Sequence, residues 1–224
     1  MLQVPQGLLR ISGWLLLIAG IMGFTGQIVH LEDVPESLGH LPEFLKTAVN
    51  THVLLAYAST FLLLGLTAIF LRQAGKLPKW GWAALPLLFI GLMLEIFHGP
   101  VQIIAYPILF GDIETEEQLK VVSDQITNMD PTAFPLSMLV FVPIVPFLML
   151  GLLILGLSTL KARVFPKALG IFTLVVLVVC ITGFFFMHLR VFTISFGYIY
   201  LLFGAFGAML AFEKREQPPA SFTA

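Results

Sequence analysis

The sequence predicts an all-α protein, a six-transmembrane-helix bundle built as three consecutive helical hairpins. Three observations carry this prediction. Hydrophobic residues make up 58% of the 224 positions and charged residues only 11%, against about a quarter charged in soluble domains. The apolar residues gather into six runs, each near the roughly 20 residues that cross a bilayer as a helix. The basic residues fall on alternate sides of those runs, as the positive-inside rule requires of a threaded chain.

The first run, Leu8–Val29, has Arg10 ahead of its apolar stretch from Ile11 and so resembles the start of a signal peptide. It is longer than the roughly 7–15 residues of a signal h-region and lacks a clear small-x-small cleavage site, so it reads as a retained span. The second, third and fourth runs are Thr51–Leu71, Gly81–Ala105 and Leu136–Leu160. Ala168–Met187 and Phe192–Phe212 complete the six, and residues 213–224 form a short tail. Several runs exceed the bilayer thickness, so tilt or kinks are expected. Pro143 and Pro146 in the fourth run, and Gly99-Pro100 in the third, mark where an intrahelical hydrogen bond is lost.

Sidedness follows from Lys and Arg. Arg10, Arg72, Lys76, Lys79, Lys161, Arg163, Lys167, Lys214 and Arg215 lie at one set of ends, and Lys46, Lys120 and Arg190 at the other. Nine against three places both termini in the cytoplasm of a cell whose inner membrane holds the chain. Ten of the thirteen acidic residues lie in the two outer loops, and Trp80 and Trp82 sit at an inner interface, where aromatic rings collect.

The outer loop between the third and fourth runs contains Thr115-Glu116-Glu117-Gln118, a capping-box pattern. Leu119, Val122, Ile126 and Met129 follow at helical spacing, and Asp130-Pro131 ends the stretch. An amphipathic helix is expected there, either on the membrane or folded over the helix ends. The even runs share a core, Phe61 to Leu66, Phe147 to Leu152 and Tyr200 to Ala205, each with a glycine in fifth place. The odd runs lead from Gly13 to His30, Gly81 to His98 and Gly170 to His188. Together these describe an internal repeat of the hairpin, although apolar sequences also align by chance because few letters are in use.

Composition excludes a nucleic-acid partner, since a formal net charge of -1 offers no basic face. Cys180 stands alone in an apolar run and reads as a small buried hydrophobe. There is no P-loop, His-Glu-x-x-His, Gly-x-Ser-x-Gly or c-type haem attachment motif. The lipid bilayer is the one partner composition demands, and a membrane-protein partner or a homo-oligomer is compatible with it.

All five histidines, His30, His40, His52, His98 and His188, fall on the outer side. Glu95 is the only carboxylate inside a run, where a charge costs about 2.5–3.5 kcal/mol on insertion scales. It shares a helix face with His98, three residues on, and Gln27, Gln102, Tyr106 and Ser137 are polar groups near the same face. In one reading His30, His98, His188 and Glu95 bind a transition metal (zinc, copper or iron) at a redox-capable His/Glu site, with His52 in support. In a second, His52 and His98 hold a b-type haem. In a third, Glu95 and His98 relay protons or bind a cation in a small transporter or channel. Opposed to all three is a non-catalytic subunit or scaffold whose histidines are interfacial and whose Glu95 is satisfied by a neighbouring helix.

Overall fold

The computed structural model describes residues 4–30, 32–97, 99, 101–128, 133, 136, 138–186 and 189–213. Among them the regular structure is helical throughout, without strands. The helices are α1 Gln6–Val29, α2 Leu41–Gln73, α3 Ala84–Ile96, α4 Tyr106–Phe110, α5 Glu116–Thr127, α6 Met138–Phe141, α7 Ile144–Ala162, α8 Lys167–Phe186 and α9 Leu189–Ala211. Six stretches, built on α1, α2, α3, α6 with α7, α8 and α9, are long and apolar enough to cross a membrane. Large apolar side chains face outward along them, among them Ile11, Leu64 and Val178, each about 60% exposed. Such an exterior fits a lipid bilayer and would be costly in water.

The spanning helices pack as a ring. α1 lies against α2, α2 against α3, α3 against α7, α7 against α8 and α8 against α9, and α9 returns to α1. The closing seam is lined by small residues. A methyl group on Gly20 would lie 2.7 Å from the Cα of Gly204, and one on Gly13 would lie 2.8 Å from the carbonyl of Gly207. Glycine lets the two backbones meet, which matters in lipid because helices there associate through close packing and hydrogen bonds. At the same end Arg72 grips both carboxylate oxygens of Glu213, with Nε at 3.0 and 2.9 Å, and Gln6 Nε2 donates to the Glu213 carbonyl at 3.4 Å.

Three elements differ from expectation. α2 begins at Leu41, ten residues before the apolar run at Thr51. The extension carries Glu43, Lys46 and Asn50, which hide it from a hydropathy reading, yet Leu41, Phe44 and Ala48 recur on one face and are buried. The third run is not one helix. α3 stops at Ile96, the residue whose carbonyl a helical proline at position 100 would strike. A π-helical turn, Val101–Ala105, and then α4 follow. The fourth run is likewise divided into α6 and α7 at Pro143, while Pro146 falls in the first turn of α7, where a missing N–H costs nothing.

The surface helix is present as α5, and its capping box is complete. Gln118 N donates to Thr115 Oγ1 and Thr115 N to Gln118 Oε1, both at 3.2 Å. Its apolar face packs inward: Leu119 joins Leu41, Phe44, Tyr106 and Phe110 in a core cluster of its own. Leu38 N donates to Glu116 Oε1 at 3.0 Å. Of the two expected placements, the helix takes the one over the helix ends. Met129, Asp130 and Pro131 lie outside the described residues. The glycines of the hairpin repeat are not used alike: Gly65 meets Leu16 and Gly151 meets Leu88 within their own hairpins, whereas Gly204 meets Gly20 of α1.

Candidate functional site

Two polar groupings face one cavity at the end of the bundle away from Gln6 and Glu213. The first is a histidine pair. His52, on α2, is 3% exposed, and its Nδ1 lies 2.8 Å from the carbonyl of Ala48, one turn earlier. A carbonyl can only accept, so His52 Nδ1 carries a hydrogen, and in the neutral ring Nε2 keeps its lone pair. His30, the residue that ends α1, brings its own Nε2 to 3.1 Å from that lone pair. The rings meet edge to face at 71°. With both rings neutral, His30 Nε2–H donates and His52 Nε2 accepts.

The second grouping centres on Glu95 of α3. Ser59 Oγ, from α2, donates to Glu95 Oε2 at 3.1 Å. Tyr200, from α9, places its hydroxyl 2.7 Å from Ser59 Oγ and 3.4 Å from the same carboxylate oxygen. Three oxygens share two hydroxyl protons. The shortest contacts are satisfied when Tyr200 donates to Ser59 and Ser59 to Glu95. Ser59 and Tyr200 are both 2% exposed. Gly23 of α1 makes room for the phenol, since a methyl there would sit 2.0 Å from Tyr200 Cδ1 and 2.2 Å from Cγ. His52 and Ser59 are seven residues apart on α2, so the two groupings are separated by about 10 Å along the bundle.

A cavity of about 260 Å³ joins them. His30, His52 and Asp33 line its outer part, and Gln27, Ser59 and Glu95 its inner part, with Leu55, Ile96, Ile144, Val145 and Phe196 as apolar walls. A second hollow of about 400 Å³ lies beside it and carries Glu32, Glu36, Glu43 and His40. His30 and Thr193 border both. Asp33 is held by Gln102, whose Nε2 donates to Oδ1 at 3.1 Å. Burial pushes the Tyr106 phenol above its ordinary range, and the Asp33 carboxylate adds to the shift.

The expected site residues divide as follows. The structure brings His30 together with His52, and sets Glu95 on the same cavity. His98 and His188 lie outside the described residues, as does Ser137. Among the described residues no group of three His, Cys, Asp or Glu side chains is close enough to hold a metal ion. Gln27 lines the cavity, Gln102 serves Asp33, and Tyr106 packs with Phe44 and Phe110. His40 is turned to the outer hollow, with Nδ1 2.8 Å from Ser37 Oγ. Cys180 is fully buried and donates to the Ser195 carbonyl at 3.3 Å, as a packing residue would.

Sequence reasoning missed Ser59 and Tyr200 as the partners of Glu95. A signal existed for Tyr200, because a phenol in mid-span needs a hydrogen-bond partner. It was masked by reading Tyr200 only as the first letter of an apolar repeat. Comparisons with protein-family models, with curated proteins and with solved structures gave no match.

Proposed function

We propose that this chain is a multi-pass protein of a cell inner membrane, with both termini cytoplasmic, that binds a transition metal at the outer end of its cavity. The observation that carries the reading is the approach of His30 Nε2 and His52 Nε2 to 3.1 Å, with His52 Nδ1 held by a backbone carbonyl. A metal-binding histidine characteristically donates its other ring N–H in this way, which fixes the ring and directs the lone pair. Two imidazoles on one tetrahedral ion, each about 2.0–2.1 Å from it, place their nitrogens about 3.3 Å apart. The pair already has close to the separation such a site needs, so exchanging the shared hydrogen for a metal requires chiefly a turn of the two rings toward a common point.

Two ligands do not close a site. His98 is the third ligand we assign, from its sequence position three residues after Glu95. His188 and Glu95 are the remaining candidates for the set. Imidazole donors suit zinc, copper or iron. The test is elemental analysis with an absorption spectrum on protein purified in mild detergent without chelators. One equivalent of metal, lost in His52→Ala, is expected. A Soret band would replace this reading with a b-type haem on His52 and His98. Colourless protein that takes up no zinc, copper or iron on reconstitution would end it.

A second reading is favoured by a different observation, that His30 and Thr193 border both the acidic outer hollow and the inner cavity. Cations then enter past the carboxylates of Glu32, Glu36 and Glu43 and reach Glu95, which works as a proton or cation site in a small transporter. Proton or cation flux in proteoliposomes, abolished in Glu95→Gln, is the expected result. Flux equal to that of empty vesicles would leave the metal site, or a scaffold role, in its place.

A further inference from the structure

The inner pole of the cavity is chemically unlike the outer one. Glu95 Oε2 accepts from Ser59 and lies 3.4 Å from the Tyr200 hydroxyl, while Oε1 receives no hydrogen bond among the described residues. Gln27 is 6% exposed, lines the same space, and forms no side-chain hydrogen bond among the described residues. An amide and a carboxylate oxygen that face a cavity in an apolar bundle call for partners from whatever enters it. The described residues that line the cavity include Asp33 and Glu95 but no Lys or Arg. A guest matched to this lining carries positive charge and N–H donors.

The rest of the lining sets its size and character. Leu55, Ile96, Ile144, Val145 and Phe196 give the cavity hydrocarbon walls. At about 260 Å³ it is smaller than the roughly 300–1,000 Å³ of sites for drug-sized ligands. A bare metal ion would use none of these walls. We propose that the inner pole binds a small organic ammonium ion, its N–H donors shared by Glu95 Oε1 and the Gln27 amide oxygen and its hydrocarbon body lying against these side chains. The inference rests on the second reading above, that cations enter this cavity, and gives that reading a ligand class.

The experiment is isothermal titration calorimetry of the purified chain in mild detergent, with cyclohexylmethylammonium as the probe and cyclohexylmethanol as its neutral counterpart. The ammonium should bind saturably and at least about tenfold more tightly than the alcohol, since a charge-assisted hydrogen bond exceeds a neutral one by that order. Glu95→Gln should remove that advantage. Gln27→Leu, which leaves the Ser59–Tyr200–Glu95 bonds in place, should weaken the ammonium several-fold and serves if Glu95→Gln does not fold. Thr115→Ala, on the surface helix and outside the cavity lining, should bind the ammonium normally. Equal binding of alcohol and ammonium, or unchanged ammonium binding in both inner-pole variants, overturns the inference. Metal-loaded protein that fails this test keeps its outer site. Metal-free protein that passes it supports the inner site alone.

Discussion

Gly23→Ala gives the sharpest test of how packing holds the inner pole together. The added methyl would lie 2.0, 2.2 and 2.5 Å from Cδ1, Cγ and Cε1 of Tyr200, where carbon atoms pack at about 3.5–4.0 Å. The ring or the α1–α9 seam must therefore move by about 1–1.5 Å. Cγ is the root of the ring, so rotating the hydroxyl end cannot relieve the clash. The seam cannot open cheaply either, because Gly20 and Gly204 already meet there backbone to backbone. Overpacking of this kind costs about 1–3 kcal/mol. A shift of that size also stretches the 2.7 Å contact between Tyr200 and Ser59 beyond hydrogen-bond range, adding about 1 kcal/mol. The expected loss is about 2–4 kcal/mol. The assay is equilibrium unfolding in mixed micelles followed by circular dichroism, with a double-mutant cycle against Tyr200→Leu. Because both changes act on the same contact, their effects should fall short of additivity by more than about 0.5 kcal/mol. A Gly23→Ala protein within about 0.5 kcal/mol of the parent, or strict additivity in the cycle, would refute the packing argument.

Three further outcomes are expected. Thr115→Ala removes the acceptor for Gln118 N and should cost about 1 kcal/mol, seen as faster amide exchange in α5 while exchange in α1 stays unchanged. The Tyr106 phenol is raised by burial and by Asp33, so the neutral form is favoured in the folded chain. Its contribution to stability is present below the ordinary tyrosine range and is lost as pH rises through the folded value. Alkaline titration of phenolate absorbance should accordingly lose one late-ionising tyrosine's worth of signal in Tyr106→Phe. Arg72→Ala breaks the fork on Glu213, but both side chains are about one-third exposed, so solvent screening holds the loss below about 1 kcal/mol. A larger drop in the same unfolding assay would mean that the seam depends on this pair.

The sequence alone determined how many times the chain can cross a bilayer. Apolar run length is a local property, set by the cost of exposing backbone and charge to hydrocarbon, and no tertiary contact is needed to read it. The capping box of α5 was equally legible, because Thr115 and Gln118 satisfy each other three residues apart. The breaks at Pro143 and near Gly99-Pro100 were visible as a missing donor. Glu95 stood out because a carboxyl inside an apolar run must have a partner.

Which partner it has was a matter of tertiary structure. Ser59 and Tyr200 come from α2 and α9, 36 and 105 residues away in the chain, and span order does not fix which helices face each other. The same holds for His30 and His52, which meet because α1 packs against α2 at that register. The start of α2 at Leu41 was hidden for a related reason. Its polar residues mask the run, and its apolar stripe acquires meaning only when α4 and α5 cover it. Local chemistry marks the groups that need partners, and only the packing of distant helices supplies them.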